Sequence, residues 1–370
     1  VFYNTHCLYR SLEIVSLKLK ELRDQINRID DQLLNLLQRR AEISKKIGSL
    51  KADTATKIHV PHREYEILDR LKTQNLNLFP EEAIDKIWSE IFTASRSVQS
   101  PNRVAFLGPP GSFGHTASLS FFGNQAEMVP ITPQVDIFTE VETERADFGV
   151  VAIQNSIYGT VRDVLERFQH TNMNICAEIF QPIRHHLMSK SPLSEIKRIY
   201  SHSQPFAQCR LWLNKFLNSV EQVEVVSTSD AAQRAANEPN TAAIASKLAS
   251  DLYDVPVIAD SIMDDPNNST RFLVVGDQIV GKSGKDRTSI FFAVKDKIGA
   301  LWEILGVFEK QDLNLDYIES LPSKSKPWEY IFFVDINGHI DDDNMLSALE
   351  FLEDLCHDVK FLGSYPRGAE

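Results

Sequence analysis

Arg23, Arg40 and Lys51, spaced by 17 and 11 residues, are cations set inside one continuous helical pattern. They are read as lining one side of that helix, close to its apolar stripe. Arg63-Glu64 opens a second helical pattern, and Ser95 and Gln99 stand four apart near the end of a third. Guanidinium, ammonium, carboxylate and amide groups around a helical core suit a small polyanionic ligand. A coiled-coil dimerisation arm with solvated cations is the alternative that this pattern leaves open.

A second set of polar residues recurs at the ends of short apolar runs. Val104 to Leu107 stops at Gly108-Pro109-Pro110-Gly111, and Ser112 has the position of a helix cap whose exposed N–H groups attract anions. Further loops are Gln154-Asn155-Ser156, Ser201-His202-Ser203-Gln204 with Gln208-Cys209, and Asn267-Asn268-Ser269-Thr270-Arg271. Open α/β sheets bind ligands at such strand ends, although turn chemistry and capping account for each loop taken singly. The Gly108 to Gly114 loop has neither the Lys-Ser/Thr ending of a P-loop nor a GxGxxG spacing, which points away from nucleotides. His115 and His202 add groups able to exchange protons near neutrality.

The elements that must position these residues fall into three stretches. Residues 17–52 read as one helix with Leu22, Ile26, Ile29, Leu33 and Leu36 on its apolar stripe. At 1.5 Å per residue it spans roughly 54 Å, more than a lone small domain needs. Two shorter helices follow, from about His62 to Asn75 and from near Pro80 to Ser97, and a helical dimer is the natural completion. Residues 103–280 alternate strands and helices. Residues 286–366 read βαββαβ, the ferredoxin-like order, with strands at 288–294, 315–320, 330–336 and 360–364 and helices at 298–310 and 344–356.

A length of 370 residues implies two or three domains, and 43% hydrophobic with 24% charged residues is ordinary for a globular protein. The formal charge of −12 argues against general nucleic-acid or acidic-membrane binding. Residues 17–100 nevertheless carry 15 Lys+Arg against 13 Asp+Glu, whereas residues 286–366 and the tail behind them are strongly acidic. Cys7, Cys176, Cys209 and Cys356 are scattered, so neither a zinc cluster nor a disulfide framework is expected. No apolar run approaches the roughly 20 residues of a membrane span. Val1 to Ser16 has no clear signal-peptide core and is left as an extension of undetermined structure, with the cytoplasm as the default compartment.

Residues 17–100 resemble the all-helical chorismate mutase family. They share Leu-Arg-x-x-Ile-x-x-Ile-Asp at Leu22 to Asp30, Arg-Ala-Glu-Ile from Arg40, Ile-Gly-x-x-Lys ending at Lys51, Arg63-Glu64, and Ser95-x-x-x-Gln99. Val60 stands where that family often has an acidic residue. Residues 103–280 resemble prephenate dehydratase through Gly-Pro-x-Gly-Ser-Phe at Gly108 to Phe113, Asn155-Ser156-x-x-Gly159, Ser201-His202-x-Gln204, Gln208-Cys209 and Thr270-Arg271-Phe272. Gln154 replaces the usual Glu there. Residues 286–366 resemble an ACT domain through Gly299-Ala300-Leu301 and Glu319-Ser320-x-Pro322, with Leu321 in place of the usual Arg.

The order matches the bifunctional mutase–dehydratase family of phenylalanine biosynthesis, and the resemblance implies residue roles. In the mutase, Arg40 and Arg63 would clamp carboxylates of chorismate, with Arg23 reaching across from a partner subunit. Lys51 and Gln99 would face the ether oxygen, Glu64 the ring hydroxyl, and Ser95 would assist a carboxylate. In the dehydratase, two lobes like those of a periplasmic binding protein would hold prephenate. Thr270 would donate to the leaving hydroxyl, while Ser112, Asn155, Ser156, Ser201, Gln208 and Arg271 would bind or orient substrate; His115 and His202 are the alternatives on acidity. Gly299, Ala300, Leu301, Asn314, Glu319 and Ser320 would bind phenylalanine. The resemblance implies no metal or organic cofactor and a homodimer or higher homo-oligomer. Two other readings stay open: a non-catalytic amino-acid sensor, and an enzyme with one working site.

Overall fold

Apolar residues at three- and four-residue steps wind the N-terminal stretch into one helix, α1 (Tyr3–Asp53), which starts well before residue 17. The computed structural model describes residues 3–53, 61–75, 79–97, 102–295, 297–322 and 330–368. The chain forms two units, Val1–Ile58 with Pro80–Ser100, and His59–Phe79 with Pro101–Glu370. In the first, α1 packs on α3 (Glu81–Ser97), burying Ser44, Ile84, Phe92 and Ser95. Leu22, Ile26, Ile29, Leu33 and Leu36 of α1 are each more than half exposed, a stripe of apolar surface that no described residue of this unit covers. At about 100° per residue, the 11-residue step from Arg40 to Lys51 does return to one side of α1. The 17-residue step from Arg23 falls roughly 100° short, so the expectation of three cations on one side fails for Arg23.

The second unit contains α2 (Pro61–Gln74) and, after residue 101, three sheets among the described residues. The first sheet is built from β1 (Arg103–Leu107), β2 (Glu127–Ile131), β3 (Phe148–Asn155), β4 (Gly159–Thr160) and β5 (Asn174–Pro182), with helices α4 (Phe113–Phe122), α5 (Asp136–Glu142) and α6 (Arg162–Phe168) between them. The chain then leaves to build a second sheet from β6 (His186–Met188), β7 (Arg198–Ser201), β8 (Glu221–Glu224), β9 (Thr241–Ala245) and β10 (Val257–Ala259). Helices α7 (Ser203–Gln208), α8 (Arg210–Phe216), α9 (Thr228–Asn237) and α10 (Lys247–Tyr253) complete that lobe. It returns through β11 (Ser269–Gly276), which inserts antiparallel between β3 and β5, giving the order β2-β1-β3-β11-β5. The second sheet runs β10-β6-β9-β7-β8.

The C-terminal stretch adds β12 (Asp286–Val294), α11 (Ala300–Lys310), β13 (Leu315–Pro322), β14 (Tyr330–Asn337), α12 (Asp343–Leu355) and β15 (Cys356–Pro366). Its strands pair antiparallel in the order β13-β14-β12-β15. One face packs on α11 and α12 through Ile290, Phe308, Val334 and Leu352. The other shares a core with the first sheet, where Leu321, Phe333 and Tyr365 meet Ile137, Leu165 and Ile175. Full burial of Leu321 in that apolar cluster explains why leucine suits the position. The seam is close: a Cβ on Gly363, at φ +148°, would sit 2.3 Å from the Ile175 carbonyl oxygen.

Candidate functional site

Antiparallel pairing of β11 with β3 sets Thr270 directly opposite Asn155. Both residues, and Gln154 with them, lie within strands and not in the loops expected of them, because the ladder continues to the strand ends. The Asn155 amide is fixed at both ends. Its Oδ1 accepts from the N–H groups of Ile157 and Tyr158, each at 3.0 Å. Its Nδ2 therefore faces β11 and donates to Thr270 Oγ1 at 2.9 Å, Asn268 Oδ1 at 2.9 Å and the Ser269 carbonyl at 3.1 Å. Thr270, 9% exposed, receives a hydrogen bond on its oxygen and keeps its own proton for another acceptor. Ser156 joins the same knot: its Oγ accepts from the Ser269 N–H at 3.0 Å.

The Gly108–Gly114 loop joins the two lobes. Gly111, at φ +88°, approaches α10 so closely that a Cβ would lie 3.2 Å from Ala249 and from Ser229 Oγ. Its carbonyl accepts from Ser246 Oγ at 2.6 Å. Ser112 caps α4 as its position required, accepting from the His115 N–H at 3.2 Å while donating to the Leu107 carbonyl at 2.7 Å. Its hydroxyl thus serves the turn.

At the end of β7 in the second sheet, Ser201 is fully buried and donates to the Ile244 carbonyl at 2.9 Å. Gln208 Oε1 lies 2.6 Å from His185 Nε2. Burial lowers the His185 pKa to about 4, outweighing the Gln208 bond, so the ring is neutral and must carry its proton on Nε2 to serve that oxygen. The Gln208 amino group is thereby turned away from His185. His185 also meets Phe113 of the first lobe edge-on, with ring centroids 5.4 Å apart. The sequence reading did not single out His185; the Arg184-His185-His186 run leading into β6 was the available signal.

The two histidines considered as proton donors are occupied locally. His115 is stacked on Phe106, its Nδ1 accepts from the Gly111 N–H at 3.1 Å, and burial lowers its pKa. His202 Nδ1 caps α7 by accepting from the Gln204 N–H at 3.3 Å.

Arg271, expected at the substrate, is 5% exposed and turned to the opposite face of β11 from Thr270. Its Nε donates to Glu178 at 2.7 Å, its Nη2 to the Tyr365 hydroxyl at 3.0 Å and its Nη1 to Asp335. Glu178 also receives Arg287 and the Gly368 N–H, and Asp335 receives Ser289 Oγ at 2.5 Å. Burial opposes the charge on Arg271, and the surrounding acidic groups Tyr365, Asp335 and Glu178 outweigh that opposition. A guanidinium so enclosed ties the first sheet to the C-terminal one, away from the face that carries Thr270.

In the C-terminal stretch, Gly299 takes φ +82° at the start of α11, Ala300 is buried and Leu301 half-buried. Asn314 Nδ2 donates to Asp316 at 2.9 Å. Ser320 is exposed, whereas Glu319 Oε2 accepts from Thr160 Oγ1 at 2.8 Å and from Tyr317 at 3.1 Å. Thr160 pairs with Gln154 on the hairpin that also carries Asn155.

On the helical unit, Arg40 bonds Ser95 Oγ and reaches the Ile91 carbonyl at 3.4 Å, with its guanidinium 5.4 Å from the Phe92 ring centre. Arg23 is exposed on α1. On α2, Arg63 pairs with Glu66 at 2.6 Å and Glu64 is half-buried. Lys51 is described only as part of the α1 backbone, and Val60 and Gln99 lie outside the described residues. Among the described residues no His/Cys/Asp/Glu group could hold a metal ion, and no helix is long and apolar enough to cross a membrane.

Residues 22–100 match the family model of chorismate mutase type II, residues 104–279 that of prephenate dehydratase and residues 288–354 that of the ACT domain. A bifunctional chorismate mutase/prephenate dehydratase of Aquifex aeolicus is 43% identical over 355 residues, covering 95% of this chain and 98% of that protein. The protein of the same description from Pseudomonas aeruginosa is 38% identical, with the same coverage of 95% and 98%. The solved structure of prephenate dehydratase in complex with L-Phe from Arthrobacter aurescens is 32% identical with a TM-score of 0.67, over 72% of this chain and 90% of that one.

Proposed function

The chain belongs to the bifunctional chorismate mutase/prephenate dehydratase family, and from that premise we propose how its residues divide the two reactions. The enzyme rearranges chorismate to prephenate, then decarboxylates and dehydrates prephenate to phenylpyruvate, with feedback by phenylalanine. The domains are assigned to residues 17–100, 103–280 and 286–366, the second two-lobed like a periplasmic binding protein and the third ferredoxin-like. The uncovered apolar stripe of α1 supports a homodimer through that helix, and the cytoplasm is the compartment proposed.

The mutase step is pericyclic and requires neither a nucleophile nor a proton transfer. Catalysis comes from holding the compact conformer and stabilising charge on the breaking ether oxygen. Arg40 and Arg63 take the carboxylates, Arg23 reaches in from the partner subunit, Lys51 and Gln99 face the ether oxygen, Glu64 the ring hydroxyl. The bond from Arg40 to Ser95 supports that pairing, since a neutral hydroxyl orients the guanidinium without neutralising it.

In the dehydratase step the ring carboxylate leaves as carbon dioxide. Its bonding pair enters the ring as the hydroxyl departs and takes up a proton to become water. Thr270 donates a hydrogen bond to that departing oxygen, and the observation that carries this role is the Asn155 Nδ2–Thr270 Oγ1 contact of 2.9 Å. A hydroxyl that accepts one hydrogen bond is polarised to donate another. Asn155, Ser156, Ser201, Gln208 and Ser112 bind or orient prephenate. Arg271 positions β11, and Gly299, Ala300, Leu301, Asn314, Glu319 and Ser320 receive phenylalanine.

Purified protein assayed for chorismate loss and phenylpyruvate formation, with and without phenylalanine, tests this reading. Both conversions proceed, and phenylalanine suppresses the second. Failure of either rate, measured on chorismate and prephenate separately, refutes the corresponding site.

A further inference from the structure

Asn268 precedes β11, where the chain returns from the second lobe, and its carbonyl accepts from the Ile183 N–H at 2.8 Å just beyond β5. It therefore sits where both connections between the lobes meet. It is 2% exposed. Its Oδ1 accepts from Asn155 Nδ2 at 2.9 Å and lies 3.5 Å from Ser156 Oγ, so two donors fix which end of the amide faces β3. The other end, Nδ2, is buried with no hydrogen-bond partner. Buried amide donors are almost always satisfied, and an orphan beside a binding residue is the kind of group that a bound acceptor completes.

We propose that Asn268 is a further residue of the dehydratase site, its Oδ1 holding Asn155 against Thr270 and its Nδ2 donating to a carboxylate of the substrate. The proposal rests on the reading of Asn155 and Thr270 given above. The two ends of the amide make separable contributions. The acceptor end restrains the Asn155 amino group, which is shared among three oxygens and would otherwise be free to leave Thr270. The donor end contributes to binding a dicarboxylate, for which a neutral donor at a buried site avoids the desolvation of another cation.

Asn268→Asp and Asn268→Ala separate these roles in steady-state assays on prephenate, with the mutase rate of the same chain reporting intact protein. Asn268→Asp keeps an acceptor for Asn155 and removes the donor. KM for prephenate then rises by about tenfold or more, while kcat stays within about threefold. Asn268→Ala loses both, so kcat also falls by about tenfold or more. An unchanged KM in Asn268→Asp overturns the donor role, and an unchanged kcat in Asn268→Ala overturns the positioning role. If the alanine variant fails to fold, the near-isosteric aspartate variant alone decides the donor role. Thr270→Ala run in parallel tests the underlying reading independently: full phenylpyruvate formation there removes Thr270 from the chemistry whatever Asn268 does.

Discussion

Thr270 and Arg271 are consecutive on β11 and serve opposite faces of the sheet: the hydroxyl oxygen lies 2.9 Å from Asn155 Nδ2, while the guanidinium bonds Glu178, Tyr365 and Asp335. The strand bearing the proposed donor is thus anchored in the C-terminal sheet. Removing the guanidinium strands Asp335 and part of the charge on Glu178 in a buried site. Arg271→Leu should destabilise the unit by roughly 3–5 kcal/mol, read by denaturant unfolding of the full chain. A stable Arg271→Leu protein whose only defect is a raised KM for prephenate would instead return Arg271 to the substrate.

Thr160 offers a second tie, between the β3–β4 hairpin and Glu319. Its hydroxyl lies 2.8 Å from the Glu319 carboxylate and 2.5 Å from the Tyr317 hydroxyl, and burial pushes the Tyr317 phenol up to about 12, so it stays a donor. Replacing Thr160 with valine removes that link while keeping the side-chain shape. Half-inhibition by phenylalanine should then require about tenfold more effector, a coupling change of ordinary size, with uninhibited turnover nearly unchanged. Thr160→Ser should behave as the unmodified protein. An inhibition curve for the valine variant identical to the original would disprove the link.

Acid sensitivity should report His185. Its folded-state pKa of about 4 lies below the ordinary histidine value of about 6.5, chiefly through burial, so between these values the unfolded chain binds more protons. Stability is therefore complete above about pH 6.5 and declines as pH falls toward 4, by on the order of 3 kcal/mol from this group. Unfolding free energies at pH 7 and pH 5 should differ less in His185→Leu than in the unmodified protein. Equal slopes in the two proteins would contradict the assignment.

Local signals were readable in the sequence and long-range ones were not. Ser112 as the α4 cap, the helical periodicity of residues 17–52 and the βαββαβ order all follow from neighbours within a few positions. The ion partners of Arg271, Glu178 and Asp335, are 93 and 64 residues away, and no spacing rule links them. Insertion of β11 between β3 and β5, which brings Thr270 to Asn155, is likewise a property of topology. The polar residues Asn155 and Thr270 suggested loops because their types favour turns, yet strand pairing extends to them and overrides that preference.

The central claim is that one chain carries two separate sites and that Thr270 serves only the second. The direct measurement follows chorismate, prephenate and phenylpyruvate together in the Thr270→Ala protein. Chorismate should disappear at the unmodified rate while prephenate accumulates and phenylpyruvate formation falls by at least about a hundredfold. Phenylpyruvate forming at the unmodified rate, or chorismate left unconsumed, would contradict it.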